Sequence, residues 1–225
     1  MPRITIAGLM ILPLFAAMAA CAPDVPKNPA DTSATSVAPA ANPDINEKFL
    51  SPDLDVDRWI GRFEGESREV FRSRKAIVSA LGLESGMAIG DIGAGTGLFT
   101  RLFASAVGDQ GAVHAVEIST RFAEHLREMA RRDDLSQGLH QALQHHFEFP
   151  GAMLESLMES LRPGGRLIVI DFERIPGQSK DWIVKHVRAG KGVFESEIVA
   201  AGFEFTGEIP VAGLEENYML GFRRP

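Results

Sequence analysis

The chain has 225 residues, enough for one folded domain with extensions, and its 45% hydrophobic and 24% charged content is ordinary for a globular protein. A net charge of −7, a pI near 5.4 and the lack of any basic block or basic–aromatic stripe exclude nucleic acid as an electrostatic partner. One cysteine, Cys21, excludes an internal disulfide, a structural zinc cluster and a thiol nucleophile in the domain that follows it.

Residues 1–21 read as a targeting segment. Arg3 gives a thin positive start, Ile4 to Phe15 is apolar, and Ala16-Ala17-Met18-Ala19-Ala20 is a small-residue cleavage zone before Cys21. The apolar run is interrupted by Pro13 and falls short of the ~20 residues needed to span a bilayer. The stretch resembles a bacterial lipoprotein signal, although Met18 stands where that family usually has leucine. The resemblance implies lipidation at Cys21 and a chain anchored in the cell envelope, facing the periplasm. An ordinary cleaved secretory signal and an uncleaved anchor are the alternatives, and an unused signal leaves the protein in the cytoplasm. Residues 22–46 are rich in Pro, Ala, Ser, Thr and Asp and predict a disordered linker. Such a tether reaches about 25–30 Å on average.

The folded domain is expected over residues 47–225. Val70, Phe71, Arg74, Ile77, Val78 and Leu81 have helical spacing over Ser67–Leu81, and Gly82 stops the helix. Glu64, Arg68, Glu69 and Arg72 read as a solvated helix face with i,i+4 pairs, in preference to a substrate contact. Met87 to Ile92 is a short apolar run bounded by glycines, the profile of a buried strand. Gly93-Ala94-Gly95-Thr96-Gly97 turns the chain, and Leu98, Phe99, Leu102, Phe103 and Ala106 form one face of a helix. In a strand–glycine turn–helix, backbone N–H groups approach a ligand closely because no Cβ intervenes. Leu98 stands where a dinucleotide fingerprint has its third glycine. Asp91 ends the strand, aimed where a cationic amine can lie. Glu117 closes the next apolar run, twenty residues after Gly97, where an acid takes both hydroxyls of a ribose.

Asp91, the glycine turn and Glu117 resemble motif I and the following acidic position of the class I S-adenosylmethionine (SAM)-dependent methyltransferases. The resemblance implies SAM as cofactor, held by Asp91, Gly93, Ala94, Gly95, Thr96, Gly97 and Glu117, with the segment before the first strand lying over the pocket. It also implies a Rossmann-like α/β fold, a mostly parallel sheet with helices on both faces, ordered 3-2-1-4-5-7-6, whose last strand is antiparallel.

Ser119 is an N-cap for a helix marked by Phe122, Leu126 and Met129. The family pattern then breaks. Leu135 to Phe149 has no β-branched residue, and its Leu139, Leu143, Phe147 spacing predicts helix rather than strand. About five strands are therefore expected instead of seven, with an internal deletion of the third strand and nearly all of the fourth. That loss leaves the first strand either paired with the fifth or facing a gap. His145-His146-Phe147-Glu148 resembles the tail of the family's fourth-strand motif. Pro150 opens a helix carrying Leu154, Leu157, Met158 and Leu161, Arg162-Pro163-Gly164-Gly165 turns, and Leu167 to Ile170 is a second buried strand. Asp171 to Gly177 follows at that strand's carboxyl end, where α/β sheets place ligands. Trp182–Val187 and Val193–Ala201 predict short helices, and Phe203–Ile209 and Tyr218–Arg223 two final strands.

Methyl transfer depends mostly on positioning and exclusion of water. A hydroxyl or amine acceptor needs a base, and His145 or His146 is the candidate, against a surface His pair. His140, His145, His146 and Glu148 lack the further spaced ligands of a metal site, and no metal is expected. His186 and Arg188 read as a solvated helix face before a substrate contact. No G-x-S-x-G elbow supports a serine hydrolase. The expected partner is a small-molecule methyl acceptor, and the oligomeric state is not encoded in any motif. The alternative is an impaired methyltransferase-like envelope lipoprotein with a binding or scaffold role.

Overall fold

The computed structural model describes residues 10–11, 46–135, 139–143 and 150–225. Cys21, linker residues 22–45, His145, His146 and Glu148 lie outside these residues. Four helices lead in: α1 (Glu47–Leu50), α2 (Val56–Phe63), α3 (Glu69–Arg72) and α4 (Arg74–Ala80). The single helix expected over Ser67–Leu81 is broken at Ser73, a buried residue against which Gly213 packs too closely to carry a side chain.

A Met10–Ile11 strand (β1) precedes these helices in the chain, and β2 (Ala88–Ile92), α5 (Leu98–Val107), β3 (Ala112–Glu117), α6 (Thr120–Arg132) and β4 (Leu139–Leu143) follow them. The remainder is α7 (Pro150–Ser160), β5 (Arg166–Phe172), α8 (Asp181–His186), α9 (Lys191–Ala200), β6 (Glu204–Glu208) and β7 (Asn217–Arg223). Two ladders form, β2-β3-β4 and β1-β5-β7-β6. They meet where β1 lies against β2. The order across both is β4-β3-β2-β1-β5-β7-β6. This corresponds to the 3-2-1-4-5-7-6 order that the resemblance implied, with β7 antiparallel to both β5 and β6.

Two expectations are corrected here. Leu139–Leu143 is a strand, parallel to β3 from Val113↔Leu139 to Glu117↔Leu143, where helical spacing predicted helix. The free edge of β3 offers a full row of hydrogen-bonding groups, and such a template overrides weak local preference. The third strand is therefore present. The fourth-strand position is also not vacant, and β2 does not pair with β5. Met10–Ile11 pairs in parallel with Val169–Ile170 and stands between them. The chain thus has seven strands among the described residues rather than about five.

Alternation along β5 divides the core between the two faces of the sheet. Leu167 and Val169 join a cluster with Leu154, Leu157, Ile183 and Phe194 of α7, α8 and α9. Ile168 and Ile170 join Val70, Ile77, Phe99 and Phe103 of α3, α4 and α5 on the other face. At the helix side of the glycine turn, α6 packs so closely that a Cβ on Gly97 would lie 2.6 Å from Met129 Sδ and 2.9 Å from Leu126 Cδ2. Gly97 also has φ +79°. Gly97→Ala is expected to destabilise the domain by about 2 kcal/mol through backbone strain and overpacking, read as a lower midpoint in urea denaturation.

Candidate functional site

The site grows from the carboxyl ends of β2 and β3. Both strands are buried at these ends, so the first turns after them must satisfy their own backbone groups. The N–H groups of Gly93 and Ala94 donate to the carbonyl of Val116 (2.8 and 3.1 Å), which pins the loop to β3. Gly93, Gly95 and Gly97 have φ of +77°, +52° and +79°, a left-handed conformation that glycine adopts without strain. Nothing lies within 4 Å of the place where a Cβ on Gly93 would stand. Thr96 is buried, and its carbonyl lies 3.2 Å from a ring nitrogen of His125 on α6.

Two buried acids flank this loop. Glu117 is only 5% exposed, and its carboxylate is a fixed acceptor. Oε2 accepts from Gly95 N–H at 2.7 Å, and Oε1 from the N–H groups of Ile118 and Ser119, both at 2.8 Å. Burial raises its pKa, against the lowering effect of those three bonds. Asp91 is 2% exposed. Thr100, fully buried on α5, donates its hydroxyl to Asp91 Oδ2 at 2.5 Å. Burial pushes Asp91 up to about 7; the Thr100 bond opposes this and the charge of Glu117 adds to it. A carboxylate held this high is stabilised on ionisation by any cation that enters beside it.

Asp91, Glu117 and the loop residues Gly93 to Thr96 line one cavity of about 530 Å³, a size typical of small-ligand sites. Gly97 lies behind the loop against α6 instead. The N-terminal helices form the opposite wall. Phe49, Trp59 and Phe63 stack in sequence, with centroids 4.9 Å apart for Phe49–Trp59 and Trp59–Phe63, and Phe49 and Phe63 meet Phe122 of α6 at 6.3 and 6.5 Å. Glu64 pairs with Arg101 of α5 at 3.0 Å and ties α2 over the loop. Phe172 and Trp182, edge to face at 4.8 Å, close the far side.

Of the charged face predicted for residues 64–72, Arg72 is exposed, Glu64 and Arg68 are half-buried and Glu69 is not solvated. Glu69 is buried and accepts from the N–H groups of Glu215, Glu216 and Asn217 at 2.6, 2.7 and 3.2 Å, fastening α3 to the start of β7. Arg72 donates to the carbonyl of Glu66, and Arg68 lies over the Phe63 ring. Arg188 is likewise buried, in an ion pair with Glu197 of α9, rather than on a solvated helix face. Asp171 is buried beside the cavity, not on its wall; it accepts from Phe172 N–H, and burial holds its pKa well above the usual carboxylate range. The side chains of His140 and His186 are outside the described residues, as are His145 and His146. β4 ends at Leu143, opposite Glu117 and two residues before His145.

Sequence reasoning missed Thr100 and Asn217. Thr100 falls on the glycine-loop helix nine residues after Asp91, a separation that no periodic pattern marks. Asn217, at the first position of β7, is 6% exposed and lines the cavity, and neither end of its side-chain amide has a hydrogen-bond partner. Among the described residues, no group of three or more His, Cys, Asp or Glu is arranged to hold a metal ion, and no helix is long and apolar enough to cross a membrane.

Comparison with known proteins places this geometry. The family model for protein-L-isoaspartate(D-aspartate) O-methyltransferase matches residues 73–147, from α4 past β4. Among curated proteins, the sequence comparison finds no match. The fold is similar to a SAM-dependent methyltransferase from Aquifex aeolicus, with 18% identity, a TM-score of 0.63, and 76% of this chain covering 99% of that one. It is also similar to a methyltransferase complexed with the Haloferax volcanii Trm112 methyltransferase activator (14% identity, TM-score 0.60, 76% of this chain and 98% of that). A third is the geranyl diphosphate C-methyltransferase from Streptomyces coelicolor A3(2), solved with Mg²⁺, geranyl diphosphate and S-adenosyl-L-homocysteine (11%, 0.56, 80% and 88%). The described domain therefore has the Rossmann-like fold of the class I methyltransferases, with its glycine loop and paired acids gathered at one cavity.

Proposed function

We propose that this domain binds S-adenosylmethionine and transfers its methyl group to a small-molecule acceptor. The observation that carries the reading is the pair of buried acids, Asp91 and Glu117, on either side of a glycine loop in one cavity. The residues fit the group. Glu117 has lone pairs beyond its three backbone bonds for the ribose hydroxyls, Asp91 faces the amino group as an anion, and the open space at Gly93 admits close approach. SAM supplies an electrophilic methyl on a sulfonium. The protein holds its two ends, while Phe49, Trp59 and Phe63 cover the cavity and exclude water. His145 or His146, just past the end of β4, is assigned the proton of a hydroxyl or amine acceptor. A missing central strand would favour an impaired member, and β1 beside β5 supports the active reading instead.

Titration calorimetry with SAM, followed by a screen for S-adenosylhomocysteine formation with candidate acceptors, tests both halves. Binding without turnover against any acceptor class would favour the binding role. Affinity should also depend on pH. Below about 7 Asp91 is protonated and must ionise to face a cation, so SAM affinity is expected to rise on the order of tenfold between about pH 5.5 and 7. Asp91→Asn should flatten that slope. The ligand-free protein responds with the opposite sign. Because the folded pKa lies above the unfolded one, the Asp91 contribution to stability is full below about pH 4 and is lost as pH rises to about 7.

A further inference from the structure

The wall facing the glycine loop carries more positive charge than the single α-carboxylate of an adenosyl amino acid calls for. Lys48, Arg62 and Arg68 all line the cavity, and none forms an ion pair among the described residues. Cations that do pair with an acid include Arg101 with Glu64, Lys180 with Glu216, Arg188 with Glu197 and Lys191 with Glu173. The three are held instead over aromatic rings. Arg62 lies 5.1 Å from the Trp59 centroid, Lys48 5.7 Å from the same ring, and Arg68 4.9 Å from Phe63. They also repel one another: burial, then the charge of Arg62, lowers the pKa of both Lys48 and Arg68. The nearby acid is already committed, because the Glu69 carboxylate is taken up by the N–H groups of residues 215–217.

A second observation on the same wall points to a ligand. Asn217, whose own N–H reaches Glu69 next to Arg68, buries a side-chain amide with an unused donor and an unused acceptor. Buried polar groups are almost always satisfied, and an exception that lines a cavity is a place for a ligand's polar atom.

We infer that the cavity takes an amphiphilic anion, a carboxylate, phosphate or sulfonate on an apolar body. Lys48, Arg62 and Arg68 hold the head, Phe49, Trp59 and Phe63 cover the body, and Asn217 meets a polar group of the molecule. Only in naming this molecule as the methyl acceptor does the inference rest on the SAM reading.

Calorimetry on the full chain with octyl phosphate and octanol, each with and without saturating S-adenosylhomocysteine, tests it. Octyl phosphate should bind about tenfold tighter than octanol, a preference that weakens between about 50 and about 500 mM salt. The Arg62→Gln/Arg68→Gln double variant should lose that preference and keep its S-adenosylhomocysteine affinity within about threefold. Asn217→Leu should weaken octyl phosphate binding without lowering the melting temperature, since it removes an unsatisfied buried amide. Equal affinity for octanol overturns the inference. So does a double variant that loses S-adenosylhomocysteine in proportion, because the cations would then serve the cofactor. If octyl phosphate binds in this pattern and S-adenosylhomocysteine does not bind at all, the anion site stands and the cofactor reading falls.

Discussion

Glu117→Ala is expected to weaken SAM binding by at least about 100-fold, or about 2.7 kcal/mol. Two effects add. The hydroxyl pair of the ribose loses its charged acceptor, and the N–H groups of Gly95, Ile118 and Ser119 lose the carboxylate that orients them. Because one side chain fixes both the loop and the turn after β3, the ligand site and its support fail together. Glu117→Gln separates the two effects. It keeps one carbonyl acceptor and loses the charge, so it should sit between wild type and alanine in affinity while melting closer to wild type. Calorimetry and thermal melting on the same samples check both, and an alanine variant within tenfold of wild type would remove Glu117 from the site.

The second large effect concerns the centre of the sheet. With Met10–Ile11 removed, the facing edges of β2 and β5 carry unpaired backbone groups in the middle of the core. Met10→Pro/Ile11→Pro keeps the chain length and denies β1 its ladder, because proline has no N–H and fits central strands poorly. The expected loss is about 2–4 kcal/mol, a fall in melting temperature of roughly 5–10 °C, and weaker SAM binding because β2 carries Asp91. An unchanged melting temperature would show that the sheet does not depend on β1.

The same two residues belong to the segment that resembles a lipoprotein signal, and its two uses are mutually exclusive. A chain processed before Cys21 has lost β1, and a chain that keeps β1 keeps Met1 to Ala20. Mass analysis of the N-terminus from cells, in membrane and soluble fractions, shows which form exists. Intact residues 1–20 in a soluble SAM-binding protein are the result expected of the seven-stranded domain. A lipid-modified Cys21 terminus on all of the protein would place the working form in the envelope and leave β2 and β5 without their middle strand.

Local chemistry explains which parts of this fold were legible in the sequence. The glycine turn, the acids at the ends of β2 and β3, the Ser119 cap, the helix opened by Pro150 and the Pro-Gly-Gly turn are each written in residues whose backbone or side-chain preferences act within a few positions. The Ser119 side chain does accept from Phe122 N–H, and Gly164 does adopt φ +75°. What stayed hidden depends on distant partners. β4 lacks β-branched residues and is a strand because the edge of β3 templates it. β1 lies far from β5 in sequence, in a run whose apolar character reads equally well as a signal. Glu69 has the spacing of a surface acid, yet it serves three amides 146 to 148 residues away. Thr100 and Asn217 entered the site for the same reason. Their roles exist only once strands and helices are assembled around the cavity.

A crystal structure of the full chain with S-adenosylhomocysteine tests the central claim most directly. The ribose hydroxyls should lie within hydrogen-bond reach of Glu117, the amino group beside Asp91, and the chain between the two against Gly93 and Gly95. An adenosyl group bound elsewhere, or a cavity that stays free of it at saturating concentration, would contradict the account.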